Sequence, residues 1–225
     1  MGNMHHTRAN TVKQAFVDTL FKLQEKKRLH KILVKDIVEN SGYSNRSFYN
    51  YFIDKNDLIC YAFFLDLNTL IENMIKNGEI PPGSGAEVIT DERHRLKVYV
   101  RCCDSEQQSP IINYWQGVGL FIYKKRHFYK DAFSYSDQNC LQYYLFNFYT
   151  KMLKEEISII LKDKKINPSD FDFIAEYFAN SQIGNMIRWT QFGIDRFGPG
   201  NLKNNYSQFA RKFMFFILND LISRC

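Results

Sequence analysis

No uninterrupted apolar run in the 225 residues approaches the roughly 18–20 needed to span a bilayer, so no membrane partner is expected. No period-2 alternation is long enough to argue for a sheet. The chain has no G-x-G-x-x-G, no Walker loop and no G-x-S-x-G. His30, His94 and His127 lack neighbours that would make a zinc site or a nucleophile–base pair. An enzyme is therefore not expected, nor a metal or cofactor. The five cysteines (Cys60, Cys102, Cys103, Cys140, Cys225) include no C-x-x-C pair and are odd in number. They suit a reduced, cytoplasmic protein with free thiols better than a disulfide framework. The start Met-Gly-Asn-Met-His-His lacks the Ser or Thr of a myristoylation signal. There is no internal repeat and no low-complexity tract.

What is present is apolar and aromatic. Hydrophobic residues make up 45% and aromatics 16%, with 20 Phe and 14 Tyr. That is enough for a sizeable core, for thick helix–helix contacts or for an apolar cavity. Net charge is +6 with a pI of about 8.9, and it is unevenly spread. Residues 1–57 hold ten Lys/Arg against six acids, and so carry +4 of the total. A positive excess at one end suits a surface that faces phosphates.

The stretch Val34–Phe52 carries the most information. Residues 34–41 read as a short helix burying Val34, Ile37 and Val38. Gly42 follows, where a left-handed C′ position favours glycine. Residues 45–51 read as a second short helix. Phe48 and Phe52, four apart, give it an apolar face, and Asn45, Arg46, Tyr49 and Asn50 lie on the other side. This is the layout of a helix-turn-helix. An amphipathic helix over 8–27, with Val12, Phe16, Leu20 and Leu23 on one stripe, precedes it. A helix from Asp54 to about Lys76 follows, with Asp54 as N-cap and Asp57 at capping-box spacing. Its apolar residues cover more than one face, which suits a helix buried on two sides.

The polar groups of the second short helix suit DNA. Arg46 can bond bidentately to guanine, and Asn45 or Asn50 to adenine. Ser44 and Ser47 add hydrogen-bonding groups at its N-terminal end. Tyr49 and Tyr51 offer hydroxyls to phosphate, which positions the helix and does not specify sequence. Lys55 lies in the first turn of the next helix, where free N–H groups also attract phosphate. Lys35 could reach the flanking strand.

Residues 8 to about 70 resemble the N-terminal domain of TetR-family (tetracycline-repressor-like) regulators. The resemblance rests on Val34-Lys-Asp-Ile37, Gly42-Tyr-Ser44, Phe48-Tyr-Asn-Tyr-Phe52 and Lys55-Asn-Asp-Leu58 taken together. It implies base and phosphate contacts at Ser44, Asn45, Arg46 and Tyr49, and phosphate contacts at Tyr51 and Lys55. The chain departs from the pattern at Leu33, where the family has a capping Thr or Ser. It departs again at Arg46, where the family often has a small residue, so the bases read should differ.

Gly78, Pro81, Pro82, Gly83, Ser84 and Gly85 mark a linker. The expected domains are 1–53 for DNA binding, 54–76 as connecting helix, 77–91 as linker, and 92–225 for effector binding and dimerisation. Helices are expected at about 92–104, 110–125, 137–163, 168–193 and 203–223, with a shorter element around His127–Phe133. Gly193, Gly198, Pro199 and Gly200 break the chain before the last helix. The expected fold is all-α: a three-helix DNA-binding domain joined by a long helix to a larger helical domain. The resemblance implies a homodimer on a (pseudo)palindromic double-stranded operator, paired through the last two long helices. It also implies an unidentified small-molecule effector that releases a repressor. Tyr114, Trp115, Phe121, Tyr144, Phe148, Met152, Tyr177, Arg188 and Trp189 are candidate pocket residues by size and polarity. The alternative is a DNA-bound protein whose C-terminal domain recruits a protein and binds no small molecule.

Overall fold

The computed structural model describes residues 2–102, 109–134, 140–162, 164–197 and 206–223. The fold is all-α with one small sheet. Two units make up the chain: residues 1–63 with 127–141, and residues 64–126 with 142–225.

In the first unit, α1 (Gly2–Gln24) begins earlier than its stripe suggests. Val12, Phe16, Val17 and Leu20 are buried. Three elements follow it: a 3₁₀ turn at Leu29–Lys31, α2 (Val34–Ser41) and α3 (Asn45–Tyr49). Gly42 closes α2 at φ 77°, a left-handed position that glycine enters without strain. Helix α4 (Lys55–Lys76) opens on the expected cap. The Asp57 amide donates to Asp54 Oδ1 at 2.8 Å, and Asp57 Oδ2 accepts from the Ile53 amide at 2.9 Å. By length and hydropathy α4 could cross a membrane, but 56% of that apolar window is buried inside the fold.

The first unit is completed by a later segment, α6 (Arg126–Phe133). Phe128 packs edge-on to Phe21 at 4.7 Å, and Tyr129 edge-on to Phe63 at 5.8 Å. The buried Asp131 carboxylate accepts the Leu29 amide at 2.5 Å, which fixes the 3₁₀ turn.

The second unit corrects two expectations. The linker ends at residue 85, and no helix occupies 92–102. Strands β1 (Ala86–Thr90) and β2 (Lys97–Cys102) form an antiparallel hairpin there, with Val88 opposite Val100. Val98, Tyr99, Val100 and Cys102 are all at most 1% exposed, so β2 buries both faces and shows no alternation. The remaining elements are α5 (Ser109–Lys124), α7 (Leu141–Leu161), α8 (Pro168–Arg188), a π turn (Trp189–Gly193), α9 (Ile194–Phe197) and α10 (Tyr206–Ser223). Asn167 caps α8 ahead of Pro168 in its first turn. The expected break at Gly198, Pro199 and Gly200 lies outside the described residues, as do Cys103 and Cys225. Cys60, Cys102 and Cys140 are free and buried. Burial pushes the Cys60 thiol well up, which leaves it a poor nucleophile.

A buried ion pair holds the second unit's core. Arg211 on α10 is 1% exposed and Glu156 on α7 is 0% exposed. Arg211 Nη2 donates to Glu156 Oε1 at 2.8 Å, Nη1 donates to Oε2 at 3.3 Å, and Nη2 also meets the Cys102 carbonyl of β2. Glu156 further accepts the Cys102 amide at 3.2 Å and the Tyr99 hydroxyl at 3.3 Å. Beside it, Tyr114 donates to the Val98 carbonyl at 3.0 Å. With that single proton used, the 2.7 Å contact between Tyr114 and Tyr149 has Tyr149 as donor. Burial raises both hydroxyls far above the ordinary phenol range.

Breaking such a pair strands a charge. Arg211→Met is expected to cost about 3–5 kcal/mol in urea unfolding followed by circular dichroism. Adding Glu156→Gln, which keeps the acceptor for the Cys102 amide, should restore much of the loss. Equal losses in the single and double variants would show that packing and not charge sets the cost.

Candidate nucleic-acid interface

Helix α3 has five residues, too few to stand alone, so its orientation is imposed from behind. Phe48 is 0% and Phe52 1% exposed. Phe48 meets Phe16 of α1 edge-on at 5.3 Å, and Phe52 lies 5.5 Å from Phe48 and 6.2 Å from Phe16. Ser44 fixes the front end: its hydroxyl accepts the Ser47 amide at 3.1 Å and lies 3.0 Å from the Ser47 hydroxyl. Ser44 thus serves as N-cap and stays exposed. Asn45, Arg46 and Asn50 are exposed, and Tyr49 is 59% exposed. Ser47 and Tyr51 are half-buried. Lys35 is exposed on α2 and pairs loosely with Glu39 at 3.7 Å.

One candidate has a second role. Lys55 is half-buried, and its ammonium donates to the carbonyls of Leu29 at 2.7 Å and Ile32 at 2.8 Å. Two of its three donors thus close the chain after the 3₁₀ turn onto the start of α4, where a phosphate contact was expected.

Two framing residues went unnoticed in the sequence. Lys13 is 8% exposed, and its ammonium lies 5.3 Å from the Tyr61 ring centre and 5.9 Å from that of Tyr51. Burial pushes the Tyr61 hydroxyl up to about 12, so the ring beneath the cation stays neutral. The spacing of Lys13, Phe16, Val17 and Leu20 was the signal, since Lys13 occupies the apolar stripe. Asp36 is the second. Leu33 has no acceptor to cap α2, so only half a capping box forms: Asp36 Oδ2 takes the Leu33 amide at 2.7 Å and Lys27 at 2.7 Å. The Leu33 amide, then Lys27, hold its carboxyl below the usual range. A lowered carboxyl stabilises the fold above its ordinary pKa, and the contribution is lost as pH falls through the folded value.

The nine candidate pocket residues do not converge. Tyr144, Phe148 and Met152 line a groove between the hairpin and α7. Tyr114, Trp115 and Trp189 are buried, the first two inside a packed aromatic cluster with Tyr99 and Tyr149. Phe121 is half-buried and Arg188 exposed. Tyr177 lies in a separate apolar groove of about 400 Å³ between α8 and α10.

Residues 118–196 match the family TetR_C_8, the transcriptional regulator C-terminal region. Over those residues the chain is similar to TetR-type transcriptional regulators. No curated protein matches it. Among solved structures it is similar to the "Dihydroxyacetone kinase operon activator DhaS". The TM-score is 0.49 and the identity 14%, over 93% of this chain and 97% of that one. That likeness is too distant to carry a function across. The TetR-type match lies wholly beyond α4, whereas the helix-turn-helix lies before it, so the two halves of the assignment rest on different residues.

Replacing Lys55 by Met in the full chain should cost about 1–3 kcal/mol through the carbonyls left unpaired. The salt dependence of its binding to random duplex DNA, read by fluorescence anisotropy, should not change. A slope reduced by about one would return Lys55 to the phosphate contacts.

Proposed function

We propose that the regulator is a homodimeric DNA-binding repressor, released from its operator by a small molecule. The observation that carries the DNA reading is the split of α3. Phe48 is sealed against Phe16, while Asn45, Arg46, Tyr49 and Asn50 face solvent on a basic end of the chain. In this reading Asn45, Arg46 and Asn50 meet base edges, with Ser44, Ser47, Tyr49, Tyr51 and Lys35 on phosphates. Arg46 is the residue that sets which base is read.

The dimer reading is supported by α8 and α10. Phe173, Phe209 and Phe216 are 67%, 72% and 68% exposed, beside Tyr177 and Phe213. So much exposed aromatic surface on two neighbouring helices suits an isologous interface. Two copies joined there would present two recognition helices to half-sites about one DNA turn, roughly 34 Å, apart. An effector would act by favouring the dimer arrangement that fits the operator less well. The groove beside Tyr144 and Phe148 favours this reading over a C-terminal domain that only recruits a protein.

Selection of bound fragments from genomic DNA should return a two-fold symmetric site. On that site Arg46→Ala should lose about 1–3 kcal/mol, with its preference relaxed at one position of each half. Unchanged affinity and preference in a mobility-shift titration would remove Arg46 from base reading. In sedimentation equilibrium the wild type should run as a dimer at micromolar concentration and Phe209→Glu/Phe216→Glu as a monomer. A monomeric wild type would overturn the dimer.

A further inference from the structure

The connection between Gln24, the last residue of α1, and Val34, the first of α2, buries only Leu29 and Ile32. Two apolar anchors leave its backbone free to turn. The place where α2 starts is therefore set by bonds to that backbone. Four side-chain bonds to it are made among the described residues. Lys55 donates to the Leu29 and Ile32 carbonyls, and Asp36 accepts the Leu33 amide. Both residues belong to the stretch that carries the helix-turn-helix. The fourth bond comes from elsewhere. The Leu29 amide donates to Asp131 Oδ2 at 2.5 Å, across 102 positions of sequence.

Asp131 stands on a helix anchored independently of that bond, by Phe128 on Phe21 and by Tyr129 on Phe63. Its carboxylate is 6% exposed, and its other oxygen lies 3.6 Å from Arg28 Nη1. Arg28 is 72% exposed, so that ion pair is screened and contributes little. The bond to the Leu29 amide is the strong one. Leu29 is 2% exposed. Without an acceptor at residue 131 its amide would be buried and unpaired, and the turn would have to open to water. The loss would fall on the N-terminal end of α2, since the buried Ile37 and Val38 hold its later part. In a helix-turn-helix that first helix crosses the phosphate backbone, and so sets the register in which the second reads bases.

We propose that Asp131 is a positioning residue for DNA recognition: by accepting the Leu29 amide it fixes the start of α2, and so the register in which α3 meets base edges. The role rests on the DNA reading above. An unanchored turn has to be ordered on each specific encounter, at a cost in affinity that random DNA, held by charge, does not incur.

The full chain is titrated with the duplex selected from genomic DNA and with random duplex of equal length, at a temperature where circular dichroism shows every variant folded. Asp131→Ala should weaken binding to the selected duplex about tenfold or more. Its binding to random duplex should stay within about threefold of wild type. Asp131→Asn keeps an acceptor oxygen and should stay within about threefold of wild type on both. Amide hydrogen exchange should quicken across residues 29–33 in Asp131→Ala and stay unchanged at Phe16 and Leu20 of α1. If Asp131→Ala does not fold, Asp131→Ser takes its place, since its hydroxyl ends one bond short of the Leu29 amide. Wild-type preference for the selected duplex in Asp131→Ala would overturn this role and leave the DNA reading standing. Equal losses on selected and random duplex would show lost folding in place of lost positioning, and overturn it as well. So would Asp131→Asn falling as far as Asp131→Ala. A wild type that selects no site would overturn the DNA reading, and this role with it.

Discussion

The contact of Phe48 with Phe16 is the constraint on which the helix-turn-helix depends. A five-residue helix has no orientation of its own. Here it is set by an edge-on aromatic contact at zero exposure, with Phe52 closing the third side. Because α1 supplies Phe16, the position of α3 is inherited from a 23-residue helix. The other framing contacts are secondary to it. Lys13 sits over Tyr51 and Tyr61 only because Lys13 shares the stripe of Phe16. Lys55 reaches two backbone carbonyls only because the turn after α1 is held by Asp131.

In the second unit the comparable role falls to two adjacent glutamates on α7. Successive residues of a helix point about 100° apart, so Glu155 and Glu156 cannot serve the same partner. Glu155 meets Arg101 on β2, and Glu156 meets Arg211 on α10. One helix turn thereby clamps a hairpin and the last helix. Buried ion pairs add little net stability over apolar packing, but they tolerate few alternative arrangements. The hairpin register and the seating of α10 are fixed together.

The helix-turn-helix was legible because each signal was local. Gly42 marks a left-handed residue, Ser44 a cap, and Phe48 and Phe52 one helical face. The cap at Asp54 was legible for the same reason. Strand β2 was not, since Val98 to Cys102 is buried on both faces and gives the short apolar run that strand and buried helix share. The return of residues 127–141 to the first unit was invisible because it depends on Phe128 and Tyr129 finding Phe21 and Phe63, more than sixty residues away. The carbonyl clasp of Lys55 was invisible because a lysine that meets phosphate and one that clasps carbonyls look identical in sequence. The candidate pocket residues scattered because size and polarity select aromatics without regard to where they point.

The π turn at Trp189–Gly193 makes the end of α8 sensitive to length. It accommodates one residue more than an α-helical turn would, and each residue of an α-helix rotates the face by about 100°. Phe192 is thereby turned outward at 81% exposure, while Ile194 is fully buried. The Thr190 hydroxyl donates to the Met186 carbonyl at 2.8 Å across this turn. Losing one residue from this segment would leave its apolar content intact yet rephase α9, exchanging which side chain meets water. Its spacing is thus constrained along with its composition, since Trp189, Thr190 and Gly193 of the turn are buried.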